Sequence, residues 1–358
     1  MSDTDNERAQ IQSLRAELGS RITIAAHHYQ KAEIVSIADF TGDSYRLAVE
    51  ASKSQADYIV FCGVRFMAES AAVLARPGQI VLIPDNQAGC PMADMIDANT
   101  ASRFLQVLDG LCSSSVVPIT YMNSYADMKA LTGSRGGSVC TSSNAAKIVS
   151  RYLDTAPVFF SPDRNLGINT ARAMGIDRDR IFTVHKDGSI VPDGRPDSDP
   201  SKALLFLWDG YCHVHKRFLV SDIAAMRSAH PGARVIVHPE CDEDVVAASD
   251  QSGSTEAIWK AVSGGQPGSV WVVGTEASFV HRLAASCPDR TVLPLRESYC
   301  YNMARIDTHN VLASLRSIQQ HLTDPSVPLL QPIAVDESVR SDAAASLKRM
   351  IDIVGGKA

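Results

Sequence analysis

The chain has 358 residues, of which 45% are hydrophobic and 21% are charged, and its formal net charge is −6. This length predicts two or three globular domains. A negative chain without clustered Lys and Arg argues against a nucleic-acid or membrane-surface partner, because phosphate groups recruit such clusters. A small-molecule substrate is therefore expected.

Apolar runs and cysteine usage indicate the compartment. No apolar run reaches the roughly 18 residues that a membrane span needs, and residues 1–20 are too polar for a signal peptide. We therefore expect a cytoplasmic protein. In that reducing compartment the eight cysteines do not predict a disulfide framework, so metal or cluster binding has to be considered.

The predicted elements alternate between helix and strand along the chain. A helix at 6–18, with Ile11, Leu14 and Leu18 on one stripe, comes first. Strand-like apolar runs follow at 22–26, 58–62, 80–83, 116–121, 137–140, 158–160, 203–208, 234–237, 270–273 and 291–295. Ala-rich amphipathic segments lie between most of them, at 45–53, 98–108, 145–153, 222–229, 254–263 and 279–285. Segment 187–201, rich in Pro, Gly, Asp and Ser, is expected to be an exposed loop. The alternation predicts parallel sheets covered on both faces by helices.

Three of the strand-like runs lead into a loop that carries one cysteine each. Cys90, Cys212 and Cys300 are separated by 122 and 88 residues. These comparable intervals favour three similar α/β domains, at 1–94, 95–215 and 216–308, although no residue-level repeat is visible. Helices at 310–321 and 341–353 are expected to fold back, so that residues 309–358 complete the first domain.

Polar motifs follow many of the runs. Ligands of open parallel sheets bind beyond the carboxyl ends of the strands, so chemistry is expected at these positions. A helix cap is the simpler explanation for Ser143 or Thr275 taken alone. The motif GST at 253–255, ahead of an apolar helix, suits a phosphate or carboxylate.

The cysteine spacing restricts the metal chemistry. No Cys-x-x-Cys occurs in the chain, which excludes zinc ribbons, thioredoxin-like redox pairs and bacterial ferredoxin runs. If three domains meet around a common axis, one thiolate from each would hold three irons of a cubane cluster. The fourth iron would then have an open coordination site and act as a Lewis acid.

Two rival functions stay open at this stage. A zinc enzyme could use Cys212, His213, His215 and His238 for hydrolysis or aldol chemistry. A non-catalytic iron–sulfur redox sensor is the second alternative, but it gives no reason for so many acid, base and anion-binding residues at strand ends.

An ordered set of motifs resembles the quinolinate synthase (NadA) family. The motifs are AHHYQ at 26–30, GDS at 42–44, FCGVRFMAE at 61–69, GCPMAD at 89–94, YMN at 121–123, CTSSNA at 140–145, HPEC at 238–241 and GST at 253–255. The resemblance implies three α-β-α sandwich domains with short parallel sheets, in pseudo-threefold arrangement around a central active site. It also implies a [4Fe-4S] cluster and a transferase of NAD biosynthesis. The implied reaction condenses iminoaspartate with dihydroxyacetone phosphate to quinolinate, phosphate and water, which leaves open a transient contact with an L-aspartate oxidase.

The resemblance also assigns site residues. The cluster ligands are Cys90, Cys212 and Cys300, and the substrate-binding residues are His27, Tyr29, Ser44, Tyr121, Asn123, Ser142, His215, His238, Glu240, Ser254 and Thr255. Ser143 is the alternative to Ser142.

The reaction needs a base, proton donors and anion-binding groups together. Glu240 is the candidate base, and Tyr29, His27 and His238 are expected to move protons. The substrate carboxylates are expected at Ser44, Tyr121, Asn123 and Ser142, and the phosphate at Ser254 and Thr255. The other five cysteines are interpreted as structural thiols.

Overall fold

The computed structural model describes residues 3–356 and contains three separate, mostly parallel β-sheets with helices packed against them. This confirms the predicted α/β class. Strands such as Tyr58–Cys62 and Leu205–Trp208 are buried along their whole length, as expected for parallel strands covered on both faces. Among the described residues, no helix is both long and apolar enough to cross a membrane.

The first sheet is built from the N-terminal quarter of the chain. Its strands are β1 (Ile22–His27), β2 (Phe40–Gly42), β3 (Tyr58–Cys62) and β4 (Ile80–Leu82), in the order β2-β1-β3-β4 and all parallel. The accompanying helices are α1 (Asp3–Leu18), α2 (Ala32–Val35), α3 (Ser44–Lys53) and α4 (Arg65–Leu74). Asp43 caps α3 by accepting a hydrogen bond from the Arg46 N–H.

The second sheet is the widest of the three. Its strands are β5 (Val117–Tyr121), β6 (Ser138–Cys140), β7 (Val158–Ser161), β8 (Ile181–Val184), β9 (Ile190–Pro192) and β10 (Leu205–Trp208), in the order β6-β5-β7-β10-β8-β9. The helices are α5 (Ala98–Leu111), α6 (Ala126–Ser134), α7 (Ala145–Leu153) and α8 (Arg164–Ala173). The short strand β9, antiparallel to β8, lies inside segment 187–201, so that segment is not wholly a loop.

The third sheet has the same strand order as the first. Its strands are β11 (Arg234–Val237), β12 (Gln251–Ser252), β13 (Val270–Gly274) and β14 (Thr291–Pro294), in the order β12-β11-β13-β14 and all parallel. The helices are α9 (Val220–Ala229), α10 (Glu243–Ala248), α11 (Thr255–Ser263) and α12 (Ala277–Ser286). Each of the ranges 1–94, 95–215 and 216–308 thus contains one sheet, while the boundaries between them stay a prediction.

Two long helices follow the third sheet. Helix α13 (Thr308–Thr323) packs against α1 and contacts β3, whereas α14 (Glu337–Val354) packs mainly against α6 and β6 of the second sheet. The C-terminal part of the chain therefore contacts both the first and the second sheet.

The backbone shows a threefold repeat that the sequence does not. In each cysteine loop the cysteine carbonyl accepts the N–H of the residue four positions later, at 3.1 Å for Cys90, 2.9 Å for Cys212 and 3.0 Å for Cys300. The carbonyl two residues before each cysteine also accepts a hydrogen bond. The donor is the N–H of the first residue of the helix that follows the third strand of the same sheet. These donors are Arg65, Arg164 and Ala277, at 2.8, 2.8 and 2.9 Å. The three cysteines are therefore presented by equivalent turns.

Candidate active site

Strands from all three sheets have their carboxyl ends at one cavity. It measures about 700 Å³ including its mouth, and Cys90, Cys212 and Cys300 all line it. Nine more of the residues assigned from the motifs also line it, namely His27, Tyr29, Ser44, Tyr121, Asn123, Ser142, His238, Glu240 and Thr255. Apolar side chains, including Val64, Phe66 and Met303, make up much of the remaining wall.

The three cysteine sulfurs have similar surroundings. Burial raises the pKa of the Cys90 thiol to about 12 and that of Cys300 to about 11, and it also raises the pKa of Cys212. In each turn the backbone N–H of the residue three positions after the cysteine donates a hydrogen bond to the sulfur. These residues are Ala93, His215 and Met303, and the bond favours the thiolate form. N–H groups aimed at thiolate sulfurs also tune iron–sulfur clusters. The donor set therefore fits a cluster held by three thiolates.

Glu240 lies at the end of the loop that follows β11 and is buried. One carboxylate oxygen accepts a hydrogen bond from the Tyr121 hydroxyl, and the other lies 2.7 Å from His215 Nδ1. Burial alone would raise the pKa of Glu240, but the adjacent His215 imidazole and the Tyr121 hydroxyl outweigh burial and lower the pKa. Glu240 is therefore an ionised carboxylate held by its neighbours.

Two histidines at the ends of β1 and β11 share one local geometry. His27 Nδ1 accepts the Tyr29 N–H at 3.1 Å, and His238 Nδ1 accepts the Glu240 N–H at 3.3 Å. In each neutral ring the proton is therefore on Nε2. Burial lowers the pKa of His27, and it lowers that of His238 to about 3, so both rings are neutral near pH 7.

Ser142 and Ser143 differ in what they contact. His238 Nε2 lies 3.2 Å from Ser142 Oγ, and Ser142 lines the cavity. Ser143 Oγ bonds instead to Thr141 Oγ1 at 2.8 Å. Ser143 does not cap α7, because Asn144 occupies the N-cap position and makes no side-chain capping bond. The expectation of a Ser143 cap was therefore wrong.

Two of the assigned residues do not line the cavity. His215 is buried behind it, stacked on His238 with ring centroids 4.5 Å apart. Ser254 caps α11 by accepting the Ala257 N–H and faces a neighbouring groove that Ser142 and Asp43 also line. Thr255, the next residue, does line the cavity.

Thr275 was missed as a site residue and was interpreted as a helix cap. Glu276 is the N-cap of α12, and its carboxylate accepts the Phe279 N–H, so that interpretation was wrong. The Thr275 hydroxyl lies instead 2.7 Å from Tyr29 Oη and 3.0 Å from His215 Nε2. The sequence signal was its position directly after an apolar strand, the same signal that marked the other site residues.

The ligands proposed for a zinc enzyme can be compared with the residues that the structure brings together. Among the described residues, the grouping with metal-ligand spacing is Cys212, His215 and Glu240. It does not include His213 or His238, the other two candidate ligands of that alternative. His213 lines the cavity, whereas both nitrogens of His215 already face protein groups.

Comparison with known proteins gives the family directly. The family model described as "Quinolinate synthetase A protein" matches residues 9–352. A quinolinate synthase of Bacillus cereus (strain Q1) is 40% identical over 357 residues, covering 98% of this chain and 94% of the relative. The enzyme of Bacillus licheniformis is 40% identical over 355 residues, with 98% and 94% covered. That of Bacillus anthracis is 39% identical over 360 residues, with 99% and 95% covered.

These matches cover all three sheets and every residue that lines the cavity. The resemblance inferred from the ordered motifs is thereby confirmed, and the chain belongs to the quinolinate synthase family of enzymes.

Proposed function

We propose that this enzyme condenses iminoaspartate with dihydroxyacetone phosphate to form quinolinate, phosphate and water. The observation that carries the proposal is the convergence of three equivalent cysteine turns on a cavity that also holds an ionised carboxylate, two neutral imidazoles and two phenols. A cluster-binding protein without catalysis would not need these acid and base groups beside the sulfurs.

Cys90, Cys212 and Cys300 would hold a [4Fe-4S] cluster. When bound, it would supply an iron with an open coordination site, a Lewis acid suited to the loss of water. The fit is supported by the single cysteine that each loop presents to the cavity and by the backbone N–H groups that hydrogen-bond to the three sulfurs.

The substrates carry carboxylates and a phosphate, and the cavity offers several partners for them. Asn123 lines the cavity, and its amide N–H groups can donate to a carboxylate, whereas its Oδ1, buried without a partner in the described structure, can accept from a ligand N–H or O–H. Ser44 and Thr255 begin α3 and α11, where free N–H groups favour anions. We assign carboxylate binding to Ser44, Tyr121, Asn123 and Ser142, and phosphate binding to Thr255 with Ser254 beside it.

Proton transfer is assigned to the polar groups at the ends of β1 and β11. The Nε2 protons of His27 and His238 can be donated to substrate oxygens, because Nδ1 of each ring is used by the backbone. Glu240 can receive a proton directly or through His215, which it contacts. Both phenols adjoin that pair, since Tyr121 donates to Glu240 and Tyr29 Oη lies 3.4 Å from His215 Nε2. The apolar wall limits water beside these groups and so strengthens their electrostatic effects.

The test is anaerobic purification, analysis of iron and acid-labile sulfide, and an assay for quinolinate with freshly generated iminoaspartate. We expect about four irons per chain if the cluster is complete, and quinolinate formation that decays in air. A colourless protein that contains zinc and makes no quinolinate would overturn the proposal in favour of the zinc alternative. A cluster without quinolinate would favour a redox sensor.

The same assay can examine supply of the unstable iminoaspartate. Adding an L-aspartate oxidase in the same vessel or behind a dialysis membrane would reveal whether contact is needed.

We further propose a cytoplasmic location, which is supported by the eight unpaired cysteines of the chain.

A further inference from the structure

His28, the second histidine of the motif at 26–30, inserts its ring between two helices of the third sheet. The ring stacks on Trp259 of α11, with centroids 6.1 Å and planes 14° apart, and packs edge-to-face against Phe279 of α12 at 5.6 Å. His28 is buried and does not line the active-site cavity in the described structure. The proton transfer proposed for His27 therefore gives no role to the neighbouring His28.

Two charged side chains of the same helices hydrogen-bond to His28. Arg282 Nη2 donates to the His28 carbonyl at 3.0 Å and to His28 Nδ1 at 3.2 Å. With Nδ1 as an acceptor, the ring proton is on Nε2, which donates to the Glu256 carboxylate at 3.3 Å. Burial and the Arg282 guanidinium lower the pKa of His28 to about 4, so the ring is neutral near pH 7. The ring thus bonds to α12 through Arg282 and to α11 through Glu256.

These four partners, Glu256, Trp259, Phe279 and Arg282, form a socket for His28. Its two apolar walls would accept an apolar ring equally well. A buried imidazole, by contrast, is costly unless its nitrogens are paired, and here they are paired only while both helices are in place. Hydrogen bonds are directional, whereas apolar contacts are not. The socket therefore fixes the position of α11 and α12 against β1 more narrowly than packing alone would.

The socket lies between two substrate-binding elements of different sheets. His28 is adjacent to His27, which lines the cavity at the end of β1. Glu256 is adjacent to Thr255, which lines the cavity at the start of α11. Carboxylate binding is assigned to residues of the first and second sheets, whereas phosphate binding is assigned to the start of α11. The distance between the two parts of the site thus depends on how α11 is held against β1.

We propose that His28 is a positioning residue that holds the phosphate-binding start of α11 at a fixed distance from the end of β1. This inference rests on the proposed quinolinate-forming reaction. His28 acts through Thr255, so its contribution is limited to ligands that carry a phosphate. Quinolinate has two carboxylates and no phosphate, and its binding should not depend on His28.

The test compares His28→Phe, which keeps an aromatic ring in the socket but removes its hydrogen bonds, with Arg282→Met, which removes the donor to His28. The variant that carries both changes completes a double-mutant cycle. His309→Phe is the matched control, because His309 is an exposed histidine at the start of α13. Iron content, the KM for dihydroxyacetone phosphate and inhibition by inorganic phosphate are measured anaerobically for each. Quinolinate binding is measured by calorimetry.

We expect His28→Phe and Arg282→Met each to raise the KM for dihydroxyacetone phosphate and the inhibition constant of phosphate by roughly tenfold or more, because small displacements at a binding site have effects of this size. Iron content and quinolinate affinity should stay within about threefold of the parent, as should every value for His309→Phe. The double variant should be little worse than the weaker single variant, because both changes remove the hydrogen bond at Nδ1.

Three results would overturn the inference. Equal weakening of quinolinate and phosphate binding, or a loss that follows lost iron, would assign His28 a general packing role. Parent-like values for His28→Phe would show that its hydrogen bonds do not place α11, and additive losses in the double variant would show that the two residues act separately. If His28→Phe does not fold, Arg282→Met decides by the same values. A parent that makes no quinolinate would instead refute the proposed function, and the inference with it.

Discussion

His215 Nδ1 lies 2.7 Å from a Glu240 carboxylate oxygen, and both side chains are buried. The two residues come from different parts of the chain, Glu240 from the loop after β11 and His215 from the turn that begins at Cys212. The cysteine turn and the acid–base group are therefore in direct contact. A carboxylate held in this way is a weak base by itself, and its function depends on the imidazole that it orients.

Glu240→Gln is expected to lower quinolinate turnover by roughly 10²-fold or more, the usual effect of removing a general acid–base group. The amide cannot stabilise a positive charge on His215, although it can still accept the Tyr121 hydroxyl. Iron content and quinolinate binding should be retained. Glu337→Gln, at an exposed position at the start of α14, is the control and should behave like the parent. A near-parent rate with iron intact would make Tyr29 or His27 the better candidate for the base.

Replacing Cys90, Cys212 or Cys300 by Ala should each abolish stable cluster binding. Each loop offers one cysteine to the cavity, so no second thiolate on the same loop can replace it. Bound iron after anaerobic reconstitution is the measurement. Cys287→Ala is the matched control, because Cys287 is packed in the core of the third sheet against α12. Full iron content in any of the first three variants would remove that cysteine from the ligand set.

The sequence predicted the parts of this structure that depend on apolar periodicity. The runs that became β1, β3 and β10 were recognised because they are buried on both faces. Strands β2 and β12 were missed because they are two or three residues long and partly or fully exposed, so they are specified by pairing with β1 and β11 and not by their own composition. The buried strand β8 was missed because its four-residue run follows a charged segment, 177–180, that obscured its start.

The site residues that could be predicted from the sequence were likewise those with a local pattern. Residues directly after recognised strands, such as Tyr29, Asn123 and Glu240, were found because strand ends meet at one edge of a parallel sheet. The contacts of Thr275 could not be found, because they join β13 to β1 and to the turn after β10, and no local pattern encodes that convergence. The same holds for the position of His215 behind the cavity.

Lys129 predicts a pH dependence of stability. This fully buried lysine on α6 donates hydrogen bonds to the carbonyls of Met122, at 2.9 Å, and Ser124, on either side of Asn123. Burial lowers its pKa from 10.5 to about 7, against the opposing effect of Glu69. Between pH 7 and 10.5 the unfolded chain binds this proton more strongly than the folded protein does, so the free energy of unfolding rises with pH over that window.

The measurement for Lys129 is the urea midpoint of the parent and of Lys129→Met, taken anaerobically at several pH values from 6.5 upward. The parent should gain stability relative to the variant as the pH rises through the window, by at most about 1.4 kcal/mol per pH unit. Lys348→Met, which removes an exposed lysine of α14, is the control for the loss of one lysine. A parent-to-variant difference that does not change with pH would show that Lys129 titrates outside the window.

Asn169 on α8 holds the loop of the third sheet that carries Glu240. Its amide group donates to the carbonyls of Pro239, at 2.9 Å, and Cys241, at 2.8 Å, so it fixes the backbone on both sides of Glu240. Asn165, one turn earlier, donates to the Asp242 carboxylate at 2.9 Å. The position of Glu240 therefore depends on an amide from another sheet.

Asn169→Ala would remove the donor from the carbonyl of buried Cys241 and from that of partly buried Pro239, and an unpaired buried group costs about 1–3 kcal/mol. We expect a lower urea midpoint and a lower kcat, because the carboxylate would no longer be held against His215 and a displacement of about 1 Å can reduce a rate by roughly 10²-fold. Iron should remain, since Asn169 does not bond to any cysteine turn in the described structure.

Asn169→Asp should be more damaging than Asn169→Ala, because a carboxylate repels both carbonyls. Asn99→Ala, at an exposed position of α5, is the control. If Asn169→Ala lost stability but kept the parent kcat, the loop would be held in place by Asn165 and the sheet alone, and the amide of Asn169 would have no part in placing Glu240.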